Sequence, residues 1–284
     1  MKRPHLSPWD IFWLVFAALY FLIPLYGTAE FSLETGVGKY GFDAYQHVIG
    51  DTSLQQIDFK DTFPLSLKLA AATVILSIVL MVPTVYWVHL KLPRVRQVMD
   101  FVATLPLVIP PITLAVGILQ LFQAGSQQSR GPAQMLVANP SSWLLSGPQI
   151  LALSYVILGL PFTYRSLDAG MRAIDLKTLT EAGQSMGAGW FTVLWRIILP
   201  NLRFAILSSA FLTVTLVMGE YTMASIMLFN TFPTFMFVVT TGGDAHQGAA
   251  LAIISLLLTW AALLGILLLG RKSGRRDTQI AGAR

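Results

Sequence analysis

The sequence predicts an all-α, polytopic membrane protein with six transmembrane helices, and three observations carry that prediction. Of its 284 residues, 55% are hydrophobic and only 12% charged, about half the charged share of a soluble domain. The apolar residues gather into six blocks, each near the ~20 residues needed to cross a hydrocarbon core. The net charge of +5 comes from basic residues at the ends of those blocks. That is the pattern of membrane topology rather than of nucleic-acid binding.

The blocks run over residues 11–28, 63–88, 99–122, 149–167, 203–229 and 248–270. The first follows Met1, Lys2 and Arg3 and ends near Gly27, Thr28 and Ala29, as a cleavable signal peptide also would. Its length, together with Trp13 and Pro24 inside it, favours a retained helix. The second block carries Lys68, expected to snorkel outward, and ends at His89. The third is interrupted by Pro106, Pro110 and Pro111. These free backbone carbonyls, which is tolerated where they line a cavity or where neighbours re-satisfy them. A kinked gate helix and static packing at a subunit interface are both open readings. The fourth block contains Pro161; the fifth contains Glu220. Trp9, Trp13, Trp87 and Trp143 fall near predicted interfaces, as an aromatic belt would. With no repeat, low-complexity tract or soluble segment of ordinary domain size, residues 1–284 read as one transmembrane domain.

Orientation follows from the lysines and arginines. With the N-terminus inside, fifteen lie on the cytoplasmic side: Lys2, Arg3, Lys91, Arg94, Arg96, Arg165, Arg172, Lys177, Arg196, Arg203, Arg271, Lys272, Arg275, Arg276 and Arg284. Four lie outside: Lys39, Lys60, Lys68 and Arg130. This bias puts both termini, and the segment at 168–202, in the cytoplasm. The chain has no cysteine, so thiolate chemistry and Cys-ligated metal sites are excluded.

The cytoplasmic segment has its own local pattern. Thr178, Leu179, Thr180 and Glu181 fit a capping box that would open a short helix. Gly187 suits the left-handed residue that closes one. Phe191, Leu194, Trp195, Ile198 and Leu199 then form one apolar stripe at helical spacing. Pro200 disfavours a helical Leu199 and marks the break before the fifth block. The expectation is a helix–turn–helix at the membrane surface, apolar side inward.

Glu181, Ala182 and Gly183, then Gly187, then Ile197, Ile198, Leu199 and Pro200 resemble the EAA loop, E-A-A-x-x-x-G followed nine residues later by I-x-L-P. That loop marks permease subunits of type I ABC importers that work with a solute-binding protein, and Gly183 is the one departure. The resemblance runs from the second block to the sixth and implies a MetI-like permease fold. It implies that the loop docks on an ATPase subunit. Glu181, Ala182, Gly183 and Gly187 would lie in or beside that contact, with Ala188, Gly189 and Trp190 near it. It also implies partners: two ATPase subunits, a second and non-identical permease, an extracytoplasmic solute-binding protein, and lipid in a bacterial inner membrane. No phosphate-cradling G-x-x-x-x-G-K-[ST] occurs. The chain is therefore expected to bind no cofactor and to be no enzyme, with ATP and magnesium on the partner ATPase.

For the solute, the short outer loops and the stretch from Leu105 to Ile112 look most like the spermidine/putrescine branch, implying a polyamine. The same machinery serves phosphonate, ferric iron, sulfate/thiosulfate and molybdate. Glu220, with Pro106, Pro110 and Pro111, is the candidate translocation path, since a carboxylate at membrane depth is costly unless it works or is paired. The bland alternative is that Glu220 hydrogen-bonds a neighbouring helix. Asp244 and His246 could suggest a metal, but a solvated outer loop is the favoured reading. Two other classes fit less well. A secondary transporter would show paired repeats with matching broken helices, and a membrane enzyme would show clustered intramembrane acids or bases.

Overall fold

Proline placement decides which apolar blocks stay straight. The computed structural model describes residues 7–36, 39–50, 58–124, 147–242 and 245–281, with the backbone alone at 122–124, 262–263, 266–267 and 269–281. Lys2, Arg3, Arg130, Trp143, Asp244 and Arg284 lie outside the described residues, as do the side chains of Arg271, Lys272, Arg275 and Arg276.

Helix α1 spans Pro8–Leu33 and starts at a capping box in which Ser7 and Asp10 satisfy each other's backbone N–H groups. A two-stranded antiparallel ribbon follows, β1 (Glu34–Gly36) with β2 (Lys39–Tyr40), then α2 (Asp43–Gly50). Helix α3 covers Phe59–Lys91 and passes unbroken through Pro64 and Pro83.

The third block does not form one span. Helix α4 (Arg96–Val108) and helix α5 (Pro111–Ala124) meet at an angle of 98°. Pro110 and Pro111 remove two successive N–H donors, and Ile109, ahead of them, is extended at φ −82° and ψ 121°. Pro106, one turn earlier, is buried inside α4 without breaking it.

Helix α6 (Pro148–Arg172) also tolerates its internal Pro161, and outlasts its apolar block by a turn. Helix α7 (Leu176–Ser185) and helix α8 (Trp190–Asn201) form the segment before the fifth span. The fifth block is not helical throughout. Helix α9 (Arg203–Gly219) stops where Glu220 turns extended at ψ 111°. A one-turn helix α10 (Thr222–Ile226) follows, then a left-handed Leu228 at φ 60°. Helices α11 (Phe232–Thr241) and α12 (Ala245–Ala281) complete the chain.

Among the described residues, three helices, α1, α3 and α6, are long and apolar enough to cross a membrane as they stand. Counting each bent pair as one span gives five. The sixth block falls on α12, apolar over Ala245–Ala261.

The chain divides into two compact units, residues 1–61 with 235–258, and residues 62–234 with 259–284. In the first, Ser32 Oγ and Tyr45 OH share a hydrogen bond of 2.8 Å. His246 stacks on Phe31 at 4.2 Å and donates from Nδ1 to its carbonyl at 2.9 Å. His246 is thus a structured helix residue rather than part of a solvated loop. No group of three or more metal-ligating side chains occurs among the described residues.

The second unit holds two apolar clusters. One joins Leu69, Leu151, Tyr155 and Val217 to Met223 and Met227, with α5 packed against α10. The other joins Val82, Val85 and Tyr86 of α3 to Tyr164, Leu167 and Met171 of α6, and to Leu194, Ile198 and Leu202. Helix α6 is the hub of the unit, flanked by α4 and α9. Its Leu151, Tyr155, Tyr164 and Leu167 are buried, and between membrane helices it is close van der Waals packing rather than removal from water that stabilises them.

Candidate functional site

The α7–α8 segment is built by local chemistry. Helix α7 begins at Asp175, not Thr178. Asp175 Oδ1 accepts the Thr178 N–H at 3.2 Å and its Oδ2 accepts the Thr178 hydroxyl at 2.7 Å. A carboxylate is a strong cap and favourable at a helix N-terminus, so it wins over the hydroxyl three residues on. The expected capping box is replaced, and Glu181 is released to the surface. The Thr178 hydroxyl, then its amide, hold the Asp175 carboxyl below its ordinary value.

Gly187 closes α7 at φ +80°. The Ala188 N–H bonds the Gly183 carbonyl at 3.0 Å and the Gly187 N–H bonds Gln184 at 2.9 Å. This pair is the Schellman motif, which only a residue at ease in the left-handed region closes without strain.

Helix α8 differs from its expected face. Its buried residues are Val193, Leu194 and Ile198, whereas Phe191 and Trp195 are 65% and 60% exposed and stack on each other at 6.0 Å. The cause is Gly183, buried in α7. A Cβ there would lie 2.9 Å from both Val193 Cγ2 and Ile197 Cδ1. The missing methyl admits those two side chains, which turns the inward face toward them and leaves the aromatic pair outside. Pro200 does not end the helix either. Residues 194–198 form a wide π turn, with Leu199 N–H reaching the Leu194 carbonyl. That turn relieves the ring clash of Pro200 with the preceding turn. The bend of 75° comes after it, at Leu202.

These features expose one continuous surface: Glu181, Ala182, Gly187 and Gly189, with Trp190 41% exposed and Ala188 half-buried. Met186, 79% exposed at the turn, is its most prominent apolar group; composition alone did not single it out. Glu181 stands 3.9 Å from Lys177 across an exposed helical turn, a pair of little energetic weight. A cleft of about 240 Å³ separates α7 from the end of α3, lined by Trp87, Lys91, Lys177, Gln184 and Trp190. Trp190 meets Trp87 edge-on at 6.0 Å.

Glu220 lies apart from this surface. Its carboxylate accepts the Met223 N–H at 2.9 and 3.1 Å and the Ala224 N–H at 3.4 Å, which opens α10. The buried Tyr155 phenol stands beside it. Pro110 and Pro111 sit at the other break, and the two short helices that follow these breaks, α5 and α10, pack together.

Sequence reasoning missed Asp168, buried at the end of α6 and paired with His89, Arg96 and Arg172. Only its i,i+4 spacing from Arg172 was visible beforehand.

The family profile described as binding-protein-dependent transport system inner membrane component matches residues 87–276. The chain belongs to this family. As an inner membrane component it is a multi-pass, all-α membrane protein, and the matched region contains α4 to α11, the α7–α8 surface among them, and most of α12. A protein of Salmonella typhimurium named as the 2-aminoethylphosphonate transport system permease PhnV is 26% identical over 187 residues, 64% of each chain. The molybdenum transport system permease ModB of Escherichia coli K12 is 27% identical over 179 residues, 60% of this chain and 75% of ModB. A molybdenum ABC transporter permease of Haloferax volcanii is 27% identical over 197 residues, 67% of this chain and 69% of its own. The region shared with the Salmonella relatives thus spans less than two thirds of their length. Their names carry phosphonate and molybdenum, not polyamines.

Proposed function

We propose that this inner membrane component is the permease subunit of an ATP-driven importer, forming the pathway for a solute and drawing its energy from a separate ATPase. The observation that carries the reading is the exposed surface from Glu181 to Trp190. It is shaped by the Asp175 cap, the Gly187 turn and the Gly183 contact. An ATPase subunit docks on that surface, and a second ATPase docks on a second, non-identical permease. A solute-binding protein docks on the opposite side of the membrane. ATP and magnesium belong to the ATPase subunits, and this chain binds no cofactor and has no catalytic residue. Both termini face the cytoplasm, which the distribution of lysine and arginine supports.

Energy passes mechanically. Closure of the ATPase pair moves α7 and α8, and that movement biases the spans between inward-open and outward-open states. The pathway runs along the two broken spans, beside Pro106, Pro110, Pro111 and the Glu220 break. The solute is small and charged. The relatives' names favour a phosphonate or molybdate over the polyamine that the loop layout suggested.

The test is uptake into proteoliposomes holding the co-purified complex and its binding protein, offered 2-aminoethylphosphonate, molybdate or spermidine. ATP-dependent accumulation of one solute supports the reading. Uptake that persists without ATP, on an ion gradient, replaces it with a secondary transporter.

A further inference from the structure

The end of α6 nearest α7 carries a charged group that the reading above does not use. Asp168 is 5% exposed. Its Oδ1 lies 2.7 Å from His89 Nε2 and 3.3 Å from an Arg96 guanidinium nitrogen, and its Oδ2 pairs with Arg172 one turn on. His89 stands near the end of α3, Arg96 opens α4, and Arg172 ends α6. One carboxylate therefore joins the ends of three helices. Asp100, one turn along α4, faces Tyr164, which sits one turn before Asp168. Asp100 is thus the second acid in a group with two arginines and one histidine.

The same end of α3 touches α7. Tyr86, one turn before His89, is fully buried and shares a 3.2 Å hydrogen bond with Thr180 of α7. On the other side, α6 runs into α7 through Ala173 and Ile174, ending at the Asp175 cap. Helix α7 is thus tied to α3 by a hydrogen bond and to α6 by a three-residue link. Asp168 closes the circuit between those helices and adds α4, the first limb of the broken third span.

A buried carboxylate among cations is a poor device for stability alone, since its desolvation offsets much of the attraction and an apolar set of the same shape does as well. What it does supply is direction: the ion pairs hold one registry of three helix ends and resist sliding. We propose that Asp168 is the positioning residue that carries movement of α7 into α3 and α4. Without it the ATPase cycle turns over while the broken third span fails to follow. The proposal rests on the importer reading of the α7–α8 surface.

The experiment compares Asp168→Asn, Asp168→Glu and wild type as purified complexes, reading assembly, ATP hydrolysis and solute uptake separately. Asparagine keeps the shape and removes the charge. For Asp168→Asn the expected result is normal assembly, hydrolysis within about twofold of wild type, and uptake per ATP lower by about tenfold, the middle of the range for coupling between sites. Asp168→Glu restores part of the ratio. Arg96→Met serves if Asp168→Asn does not assemble, because it leaves the His89 and Arg172 pairs and cuts only the link to α4. It is expected to lower uptake per ATP in the same way. An unchanged ratio in either variant, or a fall in both activities in proportion to assembled complex, overturns the proposal. Failure of the wild-type complex to couple uptake to ATP overturns the importer reading instead, so the two failures are distinguishable.

Discussion

Gly183 offers the sharpest test of how the α7–α8 surface is built, because the related loop pattern carries alanine at that position. In Gly183→Ala the added methyl lies 2.9 Å from Ile197 Cδ1 and 2.9 Å from Val193 Cγ2. Ordinary carbon contacts are about 3.5–4.0 Å, so each is too close by roughly 0.6 Å or more. The Ile197 terminal methyl can swing aside, but the β-branched Val193 is held to one rotamer in a helix. Overpacking of this kind costs about 1–3 kcal/mol. The better helix propensity of alanine offsets about 1 kcal/mol of it. The net is destabilisation of about 1 kcal/mol, or a fall of about 2–4 °C in the thermal midpoint for a domain near 200 residues. Val193→Ala alone costs about 2 kcal/mol through lost burial and a cavity. In the double variant the methyl added at position 183 enters that cavity, so the combined cost falls about 1–2 kcal/mol short of the sum. Thermal unfolding of the purified complex, followed by tryptophan fluorescence, reads all four corners of the cycle. A Gly183→Ala chain more stable than wild type, with additive single costs, would refute the close approach of α7 to α8.

Glu220→Gln keeps an oxygen to accept the Met223 amide and is expected to retain folding, whereas Glu220→Ala leaves buried N–H groups unpaired at about 1–3 kcal/mol each and lowers the yield of folded protein. Retained uptake by Glu220→Gln limits the residue to capping α10; lost uptake at normal yield puts its charge in the path. Asp175→Ala is expected to speed hydrogen exchange at the first amides of α7, while Asp175→Asn, which can still accept from Thr178, stays near wild type. Because the Asp175 carboxyl is held below its ordinary value, the cap is fully present above the usual carboxylate range near pH 4 and is lost as pH falls through the lowered value. Exchange at pH 7 and at pH 3 checks the sign. The chain lacks cysteine, so single cysteines report sidedness directly: Ser185→Cys is expected to react with an impermeant maleimide only in lysed spheroplasts, and Lys39→Cys in intact ones.

The parts of the fold governed by neighbours in sequence were legible. The helical character of the apolar blocks, the left-handed Gly187 and the interrupting effect of Pro110 and Pro111 each follow from a few adjacent residues, whereas the described residues give at most five spans. The parts decided by choice between alternatives were not. Asp175 and Thr178 are both good caps, and a carboxylate at the earlier position wins. The fifth block hides the break at Glu220 because Val217, Met218, Tyr221 and Met223 continue its apolar run on both sides. The face of α8 was legible only in part: Leu194 and Ile198 are buried as their spacing implied, but Phe191 and Trp195 share that spacing and lie outside, with Val193 inward in their place. Only the absent Cβ of Gly183, ten residues before Val193, selects between them. His89 and Asp168 are 79 residues apart, and no local pattern announces such a pair.

On the proposed reading, force enters this membrane component through the surface from Glu181 to Trp190. A photo-cross-linking amino acid placed at Met186, the most exposed apolar side chain of the turn, probes that surface in cells expressing the intact transporter. The expected result is an adduct with an ATPase subunit bearing a phosphate-binding loop, lost when the probe is moved to Tyr40 on the outer ribbon. An adduct with an ATPase from Tyr40, or none from Met186 in a complex that still hydrolyses ATP, would contradict it.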